Sequence, residues 1–119
     1  NVLQATVAEV NGASVVCDLG SHRIRTDGCT QQFSVGEQVE VVLRTEAISL
    51  SSDSITLDNC FQARLSHVIY LGGHIRYQVE LGNNRVSLVE ANRGDHGTIQ
   101  EGSDVFVGWS ARDALLVKL

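Results

Sequence analysis

The sequence predicts an all-β fold built from two copies of one small unit. Apolar and polar residues alternate with a period of two, which is typical of strands that bury one face, and turn signals such as Asn-Gly and Gly-Gly recur at short intervals. The first ten residues, NVLQATVAEV, return as NCFQARLSHV starting at residue 59. No long stretch has the apolar stripe of a helix, so helix is expected only as single turns in TEAISL and ARDALL.

Three stretches show the alternation most clearly, and in each the apolar residues are expected to face a core. The inward residues predicted are Val39, Val41 and Leu43 in VEVVLR; Phe61, Ala63, Leu65 and Ile69 in FQARLSHVI; and Ile75, Tyr77, Val79 and Leu81 in HIRYQVEL. Trp109 continues the alternation of Val105 and Val107 and is therefore expected in the core.

The internal repeat extends over both halves of the chain. The identical pairs at its start are Asn1/Asn59, Gln4/Gln62, Ala5/Ala63 and Val10/Val68. Further on, Gly36 matches Gly102 and Val39 matches Val105, and one extra residue in the second copy is expected before ARDALL. The predicted organisation is a first repeat at 1–50, a connecting strand segment at 51–58 that is strand-like at 55–57, and a second repeat at 59–119.

Each repeat is long enough for four or five short strands, which favours small Greek-key barrels of the OB type. A unit of about 50 residues buries little surface alone. We therefore expect the two barrels to share or exchange strands.

Composition excludes several functions. The chain has 9 basic and 14 acidic residues, a net charge of −5, and only 5% aromatic residues, which argues against a nucleic-acid partner. No apolar run reaches the roughly 20 residues of a membrane span. Three cysteines without C-x-x-C spacing and four scattered histidines predict neither a disulfide framework nor a metal site.

No catalytic residues are predicted. The chain lacks the G-x-x-x-x-G-K-[ST] loop that holds the phosphates of ATP, so ATP hydrolysis by this chain is not expected. Ser21-His22 and Ser66-His67 are adjacent in sequence, and adjacent residues of a strand point to opposite faces. A Ser-His pair is therefore not expected at either place.

Two surface features are candidates for binding. His74, Arg76 and Arg85 are expected on one solvated sheet face, where guanidinium groups suit a small oxyanion; the alternative is a solvated face with Glu80 nearby. The glycine-broken stretch NRGDHGT is a candidate effector or partner loop, or simply a polar connection.

Certain motifs resemble a known family. The second half contains Tyr70-Leu71-Gly72, then an alternating strand that ends in Leu81-Gly82, then Glu101-Gly102 before the strand of Trp109. The first half contains VEVVLRTEAISL, which is similar to Val-x-Val-x-Val-Arg-Pro-Glu-x-Ile-x-Leu, with Thr45 in place of Pro. These motifs resemble the transport-associated OB (TOBE, MOP-like) region at the C-terminus of ATP-binding subunits of ABC importers, of the spermidine/putrescine or iron(III) class.

The resemblance implies tandem barrels with exchanged terminal strands and a regulatory, dimer-supporting role. It assigns structural roles to the motif residues Arg44, Glu46, Gly72 and Gly102. It also implies a missing N-terminal ATPase domain that holds ATP and magnesium, as in a transport ATPase, and the absence of any methionine suggests a chain cut from something longer.

Further implied partners are a second ATPase subunit in a homodimer and the transporter's membrane subunits, at the cytoplasmic face of the inner membrane. The transported solute, whether polyamine, iron or another, stays open. The alternative function is a molbindin-like store for molybdate or tungstate, although ANRGDHGTIQEG lacks the Thr-x-x-Ser signature of that family.

Overall fold

The computed structural model describes residues 1–92, 94 and 99–119, and ten strands make up most of this part of the chain. Two 3₁₀ turns, Thr45–Ala47 and Ala111–Asp113, lie within TEAISL and ARDALL as predicted. The strands are β1 (Val2–Asn11), β2 (Ser14–Asp18), β3 (Arg23–Thr26), β4 (Gln38–Leu43), β5 (Ser49–Ser51), β6 (Asn59–Tyr70), β7 (His74–Leu81), β8 (Asn84–Ala91), β9 (Asp104–Trp109) and β10 (Ala114–Lys118).

The strands form two five-stranded antiparallel sheets that exchange their terminal strands. The first sheet has the order β10-β4-β1-β2-β3 and the second has the order β5-β9-β6-β7-β8. In each, the fourth strand of a repeat returns beside its first, which is Greek-key order. Strand β5 from the first repeat completes the second sheet, and β10 from the second repeat completes the first, so the predicted exchange of strands is confirmed.

Each sheet curls so that its two outer strands come close, β3 to β10 in the first barrel and β5 to β8 in the second. The two barrels together measure 44 × 25 × 24 Å. Among the described residues, no helix is long and apolar enough to span a bilayer.

The alternation predicts most of the core correctly. All the inward residues predicted in β4 and β7 are buried, as are Ala63 and Leu65 of β6, and Trp109 is 0% exposed. Burial of these side chains is the main favourable term in folding.

The prediction that Ile69 lies in the core is wrong, because β6 contains a bulge. The pairing of β6 with β7 shifts register between Leu65 and His67, and a bulge inserts one residue and reverses the alternation after it. Val68 packs against the core instead, and Ile69 is 40% exposed. Strand β1 has the same shift between Val7 and Glu9.

A glycine fastens each bulge. The Gly36 N–H donates to the Val7 carbonyl at 2.8 Å, and the Gly102 N–H donates to the Leu65 carbonyl at 2.7 Å. The φ angles of the two glycines are 91° and 87°, in the left-handed region that only glycine enters at little cost. This left-handed conformation explains why both repeats have a glycine at this position.

An asparagine side chain at the start of each repeat bonds to the other barrel. Asn59 Oδ1 accepts the Arg25 N–H at 2.9 Å, and its Nδ2 donates to the Arg25 carbonyl at 3.0 Å. Asn1 does the same with Ser87, with both distances 2.8 Å. Each amide thus pairs with the third strand of the opposite repeat as a neighbouring strand would.

Two predictions about the repeat are corrected. The 3₁₀ turns start at Thr45 and Ala111, and this offset of 66 is the same as that between Gly36 and Gly102, so the second copy has no extra residue between its glycine and its 3₁₀ turn. Residues 52–58 form no strand, because this crossing segment has no strand beside it to pair with. Ile55 instead covers Gly108, where an added Cβ would lie 2.8 Å from the Asn59 carbonyl oxygen.

We expect Asn59→Ala to lower the free energy of unfolding by about 2 kcal/mol, because it removes two bonds and leaves the Arg25 amide without its partner. Asn1→Ala should cost less, since Asn1 is only half-buried. Urea denaturation measures both changes. Gln62→Ala, an exposed change on the strand of Asn59, is the control; an equal loss there would contradict the role of the amide.

Candidate functional site

The predicted basic residues share one outer sheet face but do not converge. Strands β7 and β8 pair, and Arg85 lies directly opposite Glu80. His74, Arg76 and Arg85 are all exposed, and the period of two places them on the same face as Glu80.

Arg76 lies opposite Val89, four residues along β8 from Arg85. At about 3.3 Å per residue, the two arginine positions are about 13 Å apart. The guanidinium groups of Arg76 and Arg85 therefore do not start from neighbouring positions, and Glu80 competes for Arg85. The oxyanion hypothesis for these three residues stays a prediction.

The other motif residues lie at turns. Arg44 precedes the first 3₁₀ turn and its carbonyl accepts the Ala47 N–H at 3.1 Å, while Glu46 is exposed within the turn. Gly72 has a φ of 74° in the β6–β7 turn, and its carbonyl accepts a bond from Asn92 Nδ2 at 3.0 Å. Gly72 and Gly102 adopt positive φ angles that favour glycine, and Arg44 and Glu46 are exposed; the structural roles of these motif residues stay a prediction.

The prediction that the adjacent Ser-His pairs stay apart is wrong. Ser21 Oγ lies 2.8 Å from His22 Nδ1, and Ser66 Oγ lies 3.3 Å from His67 Nδ1. The first pair lies in a turn and the second at the β6 bulge, where strand alternation does not hold. In the described part of the chain no hydrogen bond or ion pair joins either ring to a carboxylate, so neither pair has the orienting third group of a triad.

The loop NRGDHGT lies mostly outside the described residues. Arg93 and residues 95–98, which include His96, are not described. Its hypothetical effector or partner role stays a prediction. In the described ranges, no group of three or more His, Cys, Asp or Glu side chains is placed to hold a metal ion.

A cleft of about 340 Å³ lies in the first barrel between β10 and the segment 27–33 that follows β3. Phe33, Ala114 and Leu116 contribute buried apolar side chains, and Thr30 and Gln31 stand exposed on the opposite wall. Little in the sequence indicates this cleft, because residues 27–33 have no period and the partner strand comes from the other repeat.

A cluster of charges fixes one end of the cleft. Arg25 contacts Asp27 and Asp58, each at 3.1 Å, and the Asp27 N–H donates to the Ala111 carbonyl at 2.8 Å. The hydrogen bonds from Ser14 and then Arg25 lower the pKa of Asp27, so this carboxylate stays ionised at neutral pH.

The other end of the cleft carries a lysine. Lys118 Nζ lies 5.0 Å from the centre of the Phe33 ring and 3.4 Å from Glu37. Such a cation over an aromatic face is weakly attractive. The contact joins the end of β10 to the far end of segment 27–33.

Two thiols lie in this barrel. Burial, and then the neighbouring Cys29, raises the pKa of Cys17 from 9.0 to about 11. Burial also raises the pKa of Cys29, which lines the cleft. Reactive cysteines need a lowered pKa, so Cys17 and Cys29 are not activated as nucleophiles.

Comparison with known families gives a match over most of the chain. The profile of the TOBE domain family matches residues 41–117.

Curated relatives match as well. The spermidine/putrescine import ATP-binding protein PotA of Trichodesmium erythraeum (strain IMS101) is 25% identical over 122 residues, which cover 97% of this chain and 32% of the relative. PotA of Trichormus variabilis (strain ATCC 29413 / PCC 7937) is 32% identical over 83 residues, covering 68% of this chain and 22% of the relative. The chain thus spans about a third or less of these relatives.

Among solved structures, the molybdate-bound crystal structure of the cytoplasmic molybdate-binding protein ModG superimposes with a TM-score of 0.87. The match covers 100% of this chain and 96% of ModG at 13% identity. At this identity the likeness shows a shared fold, the tandem OB-like barrel, and nothing about ligands.

We expect stability to fall between pH 9 and pH 11. In that range the unfolded chain loses the Cys17 proton while the native state, with its pKa raised to about 11, keeps it. Linkage then lowers the free energy of unfolding by about 2 kcal/mol, and the pKa shifts of Cys29 and Tyr77 act in the same direction.

Urea denaturation at several pH values measures the loss. Cys17→Val should reduce the loss of unfolding free energy between pH 9 and pH 11 by about the contribution of Cys17. Val15→Ala, a buried apolar change on the same strand, should lower stability equally at every pH. A Cys17→Val curve as steep as that of the native chain would contradict the assignment.

Proposed function

Because the chain belongs to the TOBE domain family, we propose that it is the accessory domain of the ATP-binding subunit of an ABC uptake transporter. The observation that carries the proposal is the family match at 41–117 together with likeness to PotA over 97% of the chain. The chain corresponds to about a third of that relative, as expected for one domain of a larger subunit.

In this proposal the domain is regulatory or supports dimerisation, and another part of the protein hydrolyses ATP. The chain has no phosphate-binding loop, and ATP and magnesium belong to the ATPase domain. The partners are that domain, a second ATP-binding subunit and the membrane subunits, at the cytoplasmic face of the membrane. The solute is a polyamine, iron or a similar substrate.

The fold is compatible with an accessory role. Exchange of β5 and β10 ties the two barrels at both ends, and the asparagine bonds add to this tie. In this proposal the two tied barrels would move together with an attached domain.

A chimera tests the proposal. Residues 1–119 replace the aligned segment of PotA from Trichodesmium erythraeum, and spermidine uptake is measured in cells without their own importer. We expect uptake close to that of the native protein, because the domain surfaces serve the same subunit. The matched control replaces the segment with ModG, which has the fold but only 13% identity to this chain. Equal uptake by both chimeras, or none by either, would contradict the proposal.

A second candidate function, suggested only by the fold shared with molybdate-bound ModG, is storage of an oxyanion. Against it stand the separation of Arg76 and Arg85 along the sheet, the position of Glu80 opposite Arg85, and the net charge of −5. An anion would approach against the average field.

We expect molybdate, tungstate and sulfate to leave the melting temperature unchanged. An anion present at about ten times a micromolar dissociation constant would stabilise the folded chain by about 1.4 kcal/mol. This corresponds to a rise of several degrees in the melting temperature. Differential scanning fluorimetry resolves such a rise, with ModG and molybdate as the positive control. A rise that disappears in Arg76→Ala or Arg85→Ala would favour storage.

A further inference from the structure

We propose that the cleft beside β10 binds an extended peptide segment of a partner protein, which adds to the first sheet as a sixth strand. The segment has apolar residues at alternate positions. This proposal is independent of the transporter assignment, because it rests on the geometry of the first barrel.

The first observation is an open strand edge. Strand β10 pairs with β4 along one edge, and its other edge pairs with no strand in the described part of the chain. Proteins normally shorten, bend or cover such edges, because they recruit other strands. Here β10 is a regular strand of five residues without proline, whereas β5, its counterpart in the second barrel, has only three.

The second observation is the shape of the cleft. The antiparallel pairings of the first sheet make β3 and β10 parallel to each other. In the described part of the chain, one backbone hydrogen bond links their ends, from the Asp27 N–H to the Ala111 carbonyl. Beyond this bond the segment 27–33 runs along β10 without pairing to it, until Lys118 covers the Phe33 ring. The space between them, about 340 Å³, lies in the usual range of ligand sites.

The third observation is the chemistry of the walls. Ala114 and Leu116 are alternate residues of β10, and with Phe33 they form an apolar floor. Leu115 is 63% exposed on the outer face of the same strand. Thr26, at the edge of the floor, has a buried hydroxyl without a hydrogen-bond partner in the described ranges.

The strand edge of β10 and the position of segment 27–33 restrict which ligands the cleft can bind. A strand in the cleft would bond to β10 on one side and touch segment 27–33 on the other, so both of its edges are covered. A strand that already belongs to a sheet, such as β10 of a second copy, cannot enter. A flexible, extended segment fits, since its backbone supplies the bonds and its alternate side chains meet the floor.

A peptide pool tests this inference on the 119-residue chain. The probe is fluorescein-labelled Thr-Φ-Thr-Φ-Thr-Φ-Thr, in which Φ is an equal mixture of valine, isoleucine, leucine and phenylalanine. Fluorescence anisotropy should show saturable binding with a dissociation constant on the order of 100 μM. Hydrogen exchange should slow at backbone amides within 115–118.

Matched variants of one loop locate the binding. Thr30→Trp fills the cleft from its exposed wall and should weaken binding by roughly tenfold or more. Gln32→Trp, an exposed position of the same loop that does not line the cleft, should leave it unchanged. Circular dichroism confirms that both variants fold.

Three results would overturn the proposal. They are no saturable binding of the pool up to millimolar concentration, equal binding by the Thr30→Trp and native chains, or protection of the amides in 115–118 by self-association alone. Sedimentation at several protein concentrations detects the last, which would mean that a second copy covers this edge.

Discussion

The exchange of terminal strands joins the two barrels into one structure. Neither repeat contains all five strands of its own barrel, because β5 lies in the second sheet and β10 in the first. The side-chain amides of Asn1 and Asn59 reinforce the exchange, since each bonds to the third strand of the other repeat. The two barrels are therefore expected to unfold together, as units that depend on one another's strands.

The repeats share their backbone devices but differ in their surfaces. Both first strands carry a bulge, and a glycine with positive φ bonds to each bulge. In the second repeat Gly108 lies under Ile55, a contact made by the crossing segment. In the first barrel the long edge of β10 faces a cleft. The two repeats therefore share the backbone devices that close a barrel and differ in the contacts around them.

The likeness to PotA and the likeness to ModG are compatible, because they concern different levels of structure. The TOBE match and the PotA relatives rest on sequence, and the ModG superposition rests on the path of the backbone at 13% identity. A fold does not imply a function.

Most of the strands, the repeat, the family resemblance and most of the core follow from the residues, because a side chain's position in an alternating pattern sets the face it occupies. Which strands are neighbours is seen only in the folded chain, since backbone hydrogen bonds are the same for any partner strand. For this reason the exact exchange, the exposure of Ile69 after the bulge, the Ser21–His22 contact and the cleft beside β10 could not be read from the residues. Each depends on segments distant in sequence, or on a backbone irregularity that no local pattern encodes.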